Sequence, residues 1–177
     1  MASLIDRMIR ASKLDVTVYE EVEADPSTMG QAMAVVVLSS LAAGIGSVGV
    51  AGLSGILIGT LTALAGWFIW AFLTYFIGTK WLPEAQTKAD YGELLRTIGF
   101  SSAPGVLRIL GFIPFVGLLI NFLAGIWMLV AMVIAVRQAL DYQSTGRAVG
   151  VCLIGWVIQF AFFILVFALV GGSGQPG

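Results

Sequence analysis

Long apolar runs separated by short charged segments dominate this chain. No charged residue lies between Asp25 and Lys80. Two further uncharged runs cover residues 109–136, directly after Arg108, and residues 148–177. A bilayer core about 30 Å thick needs about 20 mostly apolar residues per helix. The first run is therefore long enough for two spans, with a turn in the glycine-dense segment 44–52, and each later run supplies one.

Residues 92–111 form a further apolar segment, although they contain Arg96, Pro104 and Arg108. If this segment crosses the membrane, every Lys and Arg except Arg108 lies on one side, in agreement with the preference of these residues for cytoplasmic loops. Pro104 removes a backbone donor and clashes with the preceding turn. We therefore expect a third span that is kinked or broken near Pro104.

Together these patterns predict an all-α, polytopic transmembrane helical bundle of five spans, with the N-terminus in the cytoplasm and the C-terminus outside. The predicted parts are a cytoplasmic N-terminal segment at 1–28, a membrane domain at 29–170 with spans at about 29–46, 53–78, 92–111, 114–136 and 147–170, and a flexible tail at 171–177.

Residues 3–14 predict a short amphipathic helix that lies in the headgroup layer, followed by an acidic stretch. Arg7, Arg10 and Lys13 lie on its polar face and are candidate lipid contacts, because basic side chains near a membrane surface attract anionic headgroups. A frayed polar leader is the alternative. Charged residues interrupt any apolar core of a signal peptide, so we expect the segment to remain in the mature chain.

Two helix starts carry local signatures. Asp25 followed by Pro26 has the form of an N-cap with a first-turn proline, which predicts the entry to the first span. Asp90 and Glu93 have the spacing of a capping box, which predicts the start of the third.

Small residues recur every four positions from Ser47 through the first part of span two. Gly55, Gly59 and Ala63 of this strip are candidate helix-packing positions, because small side chains let helices approach closely in lipid. Packing within the bundle is the expected role, and a dimer interface is the alternative. An aromatic stripe follows in the same span and is typical of lipid-facing or core positions; a pigment or quinone pocket is the alternative.

Arg108, Asn121 and Gln159 are the candidate polar groups inside the spans. The predicted outer half of the bundle offers Arg108 no acidic partner, so we expect its side chain to reach headgroup phosphates or backbone carbonyls. Alternatively, the break near Pro104 forms a transport site together with Asn121 and Gln159.

Composition excludes several classes of function. The chain is 59% hydrophobic and 11% charged, against about 25% charged in soluble domains, and its net charge of −1 offers no basic field for nucleic acid. It has no His and one Cys, Cys152, so the usual His- and Cys-based catalytic and metal sites cannot form. The letters GxGxxG at 44–49 lie between apolar spans and do not predict a nucleotide site. We expect no cofactor and no enzyme activity.

Several short segments share their order and spacing with a known family: 19–26, 31–32, 93–96, 99–104 and 144–148. With these segments the chain resembles prokaryotic members of the Yip family, the Ypt/Rab-GTPase-interacting proteins. The resemblance implies a five-helix membrane protein with a cytoplasmic N-terminus. Eukaryotic members bind prenylated small GTPases and take part in membrane shaping, but this chain departs from their DLYGP-type signature and long N-terminal region, so no GTPase contact is carried over.

The leading functional hypothesis is a non-enzymatic protein of a prokaryotic cytoplasmic membrane that organises the bilayer or acts as a scaffold. Its expected partners are lipids and other membrane proteins or copies of itself. An accessory subunit of a bioenergetic or transport assembly is the second hypothesis, and a small-solute transporter is the third.

Overall fold

The structure, a computed structural model, describes residues 2–46 and 48–171, and within these ranges every regular element is helical. This confirms the predicted all-α fold. In chain order the elements are α1 (Leu4–Ser12), α2 (Val16–Ala24), a 3-10 turn (Pro26–Thr28), α3 (Met29–Gly46), α4 (Val48–Phe76), a π-turn (Ile77–Trp81), α5 (Tyr91–Ser101), a 3-10 helix (Ala103–Phe112), α6 (Gly117–Ala139) and α7 (Thr145–Gly171).

Apolar length identifies the membrane-crossing elements. Among the described residues three helices are long and apolar enough to span a bilayer, Pro26–Gly46, Ser54–Trp81 and Gly117–Ala139, and Thr145–Ala161 is a shorter apolar stretch within α7. The chain is thus a multi-pass membrane protein. The five-span count stays a prediction, because residues 92–111 do not form one continuous α-helix.

The third predicted span is broken where the sequence indicates. The Asp90 side chain accepts from the Glu93 amide at 2.8 Å, and the Glu93 carboxylate accepts from the Asp90 amide at 2.7 Å, so the predicted capping box is confirmed. Helix α5 ends at Ser101, and the chain continues as the 3-10 helix that contains Pro104. All residues from Leu94 to Ser101 are buried, which makes α5 the central helix of the bundle.

Close packing fixes this central element against α3. A Cβ atom added at Gly99 would lie 2.8 Å from the Ala32 Cβ, and one added at Gly105 would collide with the Ser39 hydroxyl. Because glycine has no side chain, these two positions allow α5 and the 3-10 helix to lie directly on α3.

The connection between α3 and α4 falls in the predicted glycine-dense segment. Gly52 adopts φ +63°, a left-handed conformation that favours glycine, and kinks the start of α4. Ser47 of the predicted small-residue strip lies outside the described residues, as do residues 172–177 of the predicted tail.

The N-terminal segment folds as a hairpin of two short helices on the flank of the bundle. Ser3 caps α1 and Asp15 caps α2 through side-chain bonds to the Asp6 and Thr17 amides at 3.1 and 2.9 Å. Helix α1 packs against the 3-10 helix and α5, and α2 packs against α5 and α6. We call α1 and α2, with the turn between them, the N-terminal hairpin.

Candidate functional site

Ion pairs hold the N-terminal hairpin together. Arg7 is buried; its Nε donates to Glu21 Oε1 at 2.9 Å, and its Nη1 donates to Gln31 Oε1 at 2.8 Å. Arg10 donates to Asp15 Oδ2 at 3.0 Å and to Glu21 Oε2 at 2.7 Å. The hydrogen bond from Arg10 holds the pKa of Glu21 below its usual value. Two arginines thus join α1, α2 and the start of α3.

This arrangement separates the three candidate lipid contacts. Arg7 faces the protein interior, Arg10 is half-buried among carboxylates, and Lys13 is exposed near the tip of the hairpin. Among the described residues no carboxylate lies within 4.0 Å of the Lys13 amine. Lys13 is therefore the exposed cation of the predicted set that has no ion-pair partner in the described part of the chain, and lipid contact by the set stays a prediction.

Arg96 links the hairpin to the central helix. Its side chain is buried, and it donates from Nε to the Val22 carbonyl at 2.8 Å and from Nη2 to the Glu23 carbonyl. These carbonyls belong to the last turn of α2, where unsatisfied acceptors and the negative end of the helix dipole favour a cation. The sequence assigned Arg96 only to the cytoplasmic charge balance and missed this capping role.

The hairpin also extends along the side of α6. Gln138 Nε2 donates to Glu20 Oε1 at 3.0 Å near the C-terminal end of α6, and Trp127 Nε1 donates to the Ser12 carbonyl at 2.7 Å. These two contacts are separated by about 16 Å along α6, at about 1.5 Å per residue. At the tip, Leu14 shares an apolar recess with Leu107, Leu110, Leu123 and Val130 among others.

The two loops that join α4 to α5 and α6 to α7 meet at Glu84. Its carboxylate accepts from the Gln143 amide at 2.9 Å and the Ser144 amide at 3.3 Å, which holds the pKa of Glu84 below its usual value. Tyr142 Oη donates to the Gly78 carbonyl at 2.9 Å and to the Leu82 carbonyl at 2.7 Å. The two loops therefore form one connected surface.

Beside this surface lies an acidic recess between α2, the start of α5 and the end of α6. Carboxylates from Glu20, Glu23, Glu93 and Asp141 line it together with Arg137. Burial, followed by repulsion from Glu93, Asp141 and Glu20, raises the pKa of Glu23 to about 7, and the charge of Arg96 offsets only part of this rise.

A separate cavity of about 610 Å³ opens between the helices of the bundle, and α3 to α7 and the 3-10 helix all contribute to its wall. We call it the inner cavity. It brings together Arg108 and Gln159 of the predicted intramembrane polar set. Asn121 is not part of its lining; its Nδ2 donates to the Gly117 carbonyl of its own helix at 2.9 Å.

The predicted small-residue strip forms one wall of the inner cavity. Gly55, Gly59 and Ala63 all line it, and a Cβ atom added at Gly59 would meet no atom within 4 Å. Packing of another helix on this strip stays a prediction. In the described chain the strip faces the open volume of the cavity.

Two hydrogen-bond donors in the inner cavity have no acceptor. Trp70 Nε1 and Arg108 Nε are buried without a partner among the described residues, and the Trp70 side chain is only 7% exposed. Trp67, one turn earlier, donates from Nε1 to the Leu95 carbonyl at 3.0 Å. The sequence did not distinguish these two tryptophans, because the acceptor for Trp67 comes from another helix and Trp70 Nε1 has none among the described residues.

The fold and these sites define a class: a multi-pass helical membrane protein with a folded hairpin on its flank and a cavity that opens between its helices. A family model, the Yip1 domain, matches residues 16–167. The chain therefore belongs to the Yip1 domain family, a membrane-trafficking family that is not known for enzymes, which confirms the predicted family. No curated protein and no solved structure gives a significant match to this chain.

Proposed function

We propose that this chain is a non-enzymatic, membrane-organising protein whose N-terminal hairpin widens the bundle in the cytoplasmic leaflet. The observation that carries the proposal is the hydrogen bond from Trp127 Nε1 to the Ser12 carbonyl, 2.7 Å long. Trp127 lies near the middle of the apolar helix Gly117–Ala139. A hairpin that reaches this level lies beside the membrane bundle instead of above it.

The exposed surface of the hairpin suits this position. Ile5 and Ile9 are 68% and 51% exposed on α1, and Val16 is also exposed. Arg7, Arg10 and Glu21 are paired with one another, whereas Lys13 near the tip and Glu20 on α2 are exposed. The exposed apolar residues and the paired arginines reduce the free-energy cost of placing the hairpin at the edge of the hydrocarbon layer, and the long side chain of Lys13 can extend toward the headgroups.

Contacts between the loops support the orientation that the proposal requires. The hairpin contacts the end of α6 through Glu20 and Gln138, and the loops around Glu84 and Gln143 contact each other. The α2 end of the hairpin and the two loops thus lie at one end of the bundle, as a five-span chain with a cytoplasmic N-terminus requires. Extra cross-section at that end of the protein favours a bilayer curved around it.

The two connected loops, between α4 and α5 and between α6 and α7, supply the scaffold part of the proposed function. The surface that Glu84 and Tyr142 hold together, with the acidic recess beside it, is a stable platform for other membrane proteins or for a second copy. In this role the chain acts as a scaffold that positions its partners in curved membrane.

Sorting between vesicles of different size tests the proposal. The full chain is reconstituted into a mixture of small and large liposomes, and its density on each is measured by fluorescence microscopy. We expect enrichment on small liposomes. Leu14→Ser with Trp127→Phe removes the tip contacts of the hairpin and should reduce the enrichment, whereas Trp81→Phe, at an exposed position after α4, should preserve it. Equal density of the unmodified chain on both sizes would contradict the proposal.

A further inference from the structure

The inner cavity holds a cation that has no counter-ion among the described residues. Arg108 comes from the 3-10 helix and lines the cavity; its side chain is half-buried, and its Nε atom is buried without a hydrogen-bond partner in the described part of the chain. Within the described parts of the chain no carboxylate lies within 4.0 Å of its guanidinium. A guanidinium is always charged and only donates hydrogen bonds, and an unpaired charge in an apolar bundle is unfavourable by several kcal/mol. The site is therefore complementary to an anion.

A second donor indicates the same chemistry independently. The Trp70 side chain is more than nine-tenths buried, lines the same cavity and leaves its indole N–H without an acceptor in the described residues. A buried donor that lacks an acceptor destabilises a fold by about 1–3 kcal/mol. The hydroxyls of Ser39 and Ser102 on the cavity wall can add further donors. The group that fits this set is rich in acceptor oxygens, as a phosphate is.

The surroundings of the cavity indicate what the anion is attached to. An apolar groove on the outer face of α7 is lined by Leu153, Val157, Phe160 and Ile164, and it shares Trp156 and Gln159 with the inner cavity. Polar chamber and apolar groove are thus continuous at these two residues. This shape fits an amphiphile, with its anionic head inside and an acyl chain along α7, facing the bilayer.

We infer that the inner cavity binds an anionic phospholipid, with the phosphate oxygens against Arg108 and Trp70 and one acyl chain in the α7 groove. The lipid supplies the negative charge and the acceptor oxygens that the described lining of the cavity lacks, since no Asp or Glu is part of that lining. Small residues on α4, including Gly59, give the head access to the chamber. This site is independent of the N-terminal hairpin, so it can fail without affecting the proposed function.

Lipid exchange in the full chain tests this inference. The protein is placed in nanodiscs of phosphatidylcholine that contain an increasing fraction of phosphatidylglycerol. The lipids that stay bound to the protein after its release from the disc are counted by native mass spectrometry. We expect the unmodified chain to retain phosphatidylglycerol in preference to phosphatidylcholine. Arg108→Gln should weaken this preference by about tenfold or more, because it removes the charge-assisted hydrogen bonds.

Trp70→Phe provides a second variant that keeps an aromatic ring and removes only the N–H donor. It should weaken retention severalfold even if Arg108→Gln does not fold. Matched controls are Arg147→Gln, at an exposed cytoplasmic position, and Trp81→Phe, both of which should retain the lipid. Retention of phosphatidylglycerol by Trp70→Phe and Arg108→Gln at the level of the unmodified chain would overturn the inference.

The source of the phosphate is distinguished by a parallel titration with inorganic phosphate in discs of phosphatidylcholine alone. We expect no rise in thermal stability there, in contrast to a rise when phosphatidylglycerol is added. Stabilisation by inorganic phosphate that disappears in Arg108→Gln would show a site for a free anion and overturn the lipid assignment.

Discussion

Arg96 illustrates how a single residue connects the N-terminal hairpin to the helical bundle. It lies on the central helix α5, and its guanidinium satisfies two carbonyls at the C-terminus of α2. Its charge needs no carboxylate in contact, because the carbonyl end of a helix carries partial negative charge. The position of the hairpin therefore depends on a residue more than 70 positions further along the chain.

Replacement of Arg96 by Met is expected to release the hairpin. The variant leaves the Val22 and Glu23 carbonyls without their donor, at about 1–3 kcal/mol for each buried acceptor that finds no other partner. The hydrogen-exchange rate of the α2 amides in detergent should rise by the factor that corresponds to this loss of free energy. Lys88→Met, at an exposed position near the same end, is the control and should leave exchange unchanged. Unchanged protection of α2 in Arg96→Met would contradict the capping role.

Glu23 makes stability depend on pH. Its pKa is raised from 4.5 to about 7, mainly by burial, so between these values the folded chain keeps a proton that the unfolded chain has released. Linkage then requires that the contribution of Glu23 to stability falls as pH rises through this window.

Glu23→Gln removes this titration and should remove its effect. Relative to the unmodified chain, we expect a higher Tm in detergent at about pH 8 and a difference that shrinks toward about pH 5. Glu20→Gln, at an exposed position of the same helix, should give a smaller change. A Tm difference for Glu23→Gln that is the same at both pH values would show that titration of this carboxyl does not control stability.

At the scale of elements, the sequence predicted a helix start or a helix break correctly where the interacting residues lie only a few positions apart. Asp90 and Glu93 cap α5 as their spacing predicted, and the break after Ser101 follows from the chemistry of Pro104. Side chains whose partners are distant in sequence gave no such signal. Lipid contact by Arg7 and Arg10 stays a prediction, but their ion pairs with Glu21 could not be predicted, because the approach of Glu21 depends on how the hairpin folds.

Glycines on two helices allow a direct comparison of tight and open packing. Gly99→Ala places a methyl group 2.8 Å from the Ala32 Cβ and 3.1 Å from the Ala32 carbonyl oxygen, so helix backbones must separate. We expect a loss of about 1–3 kcal/mol in the free energy of unfolding. Gly59→Ala is the matched control, since its methyl group meets no atom within 4 Å.

Equilibrium unfolding of both variants in mixed micelles measures these effects. Equal stability of Gly99→Ala and the unmodified chain would contradict the close approach of α5 to α3. Gly59→Ala also tests the remaining role of its strip: a lower dimer fraction in this variant would show that a second copy packs there.

For the whole molecule, hydropathy predicted the helical membrane bundle, and the positions of the Lys and Arg residues predicted which loops lie on the same side of the membrane. The contacts of Glu84 with Gln143 and Ser144, and of Glu20 with Gln138, join those regions at one end of the bundle and support the arrangement. The depth of the hairpin could not be predicted in the same way, because it depends on a contact between Ser12 and Trp127, which lie far apart in sequence. The inner cavity is likewise a product of packing among distant segments.

The membrane depth of the hairpin tests the central claim most directly. Cys152 is the single native cysteine, so Cys152→Ala permits a nitroxide at Ile9→Cys, an exposed position near the tip, and a matched label at Lys88→Cys in a loop. In liposomes the Ile9 label is predicted to be more accessible to oxygen than to a water-soluble nickel chelate, and the Lys88 label is predicted to show the opposite. An Ile9 label as accessible to the nickel chelate as the loop label would place the hairpin in water and contradict the proposed function.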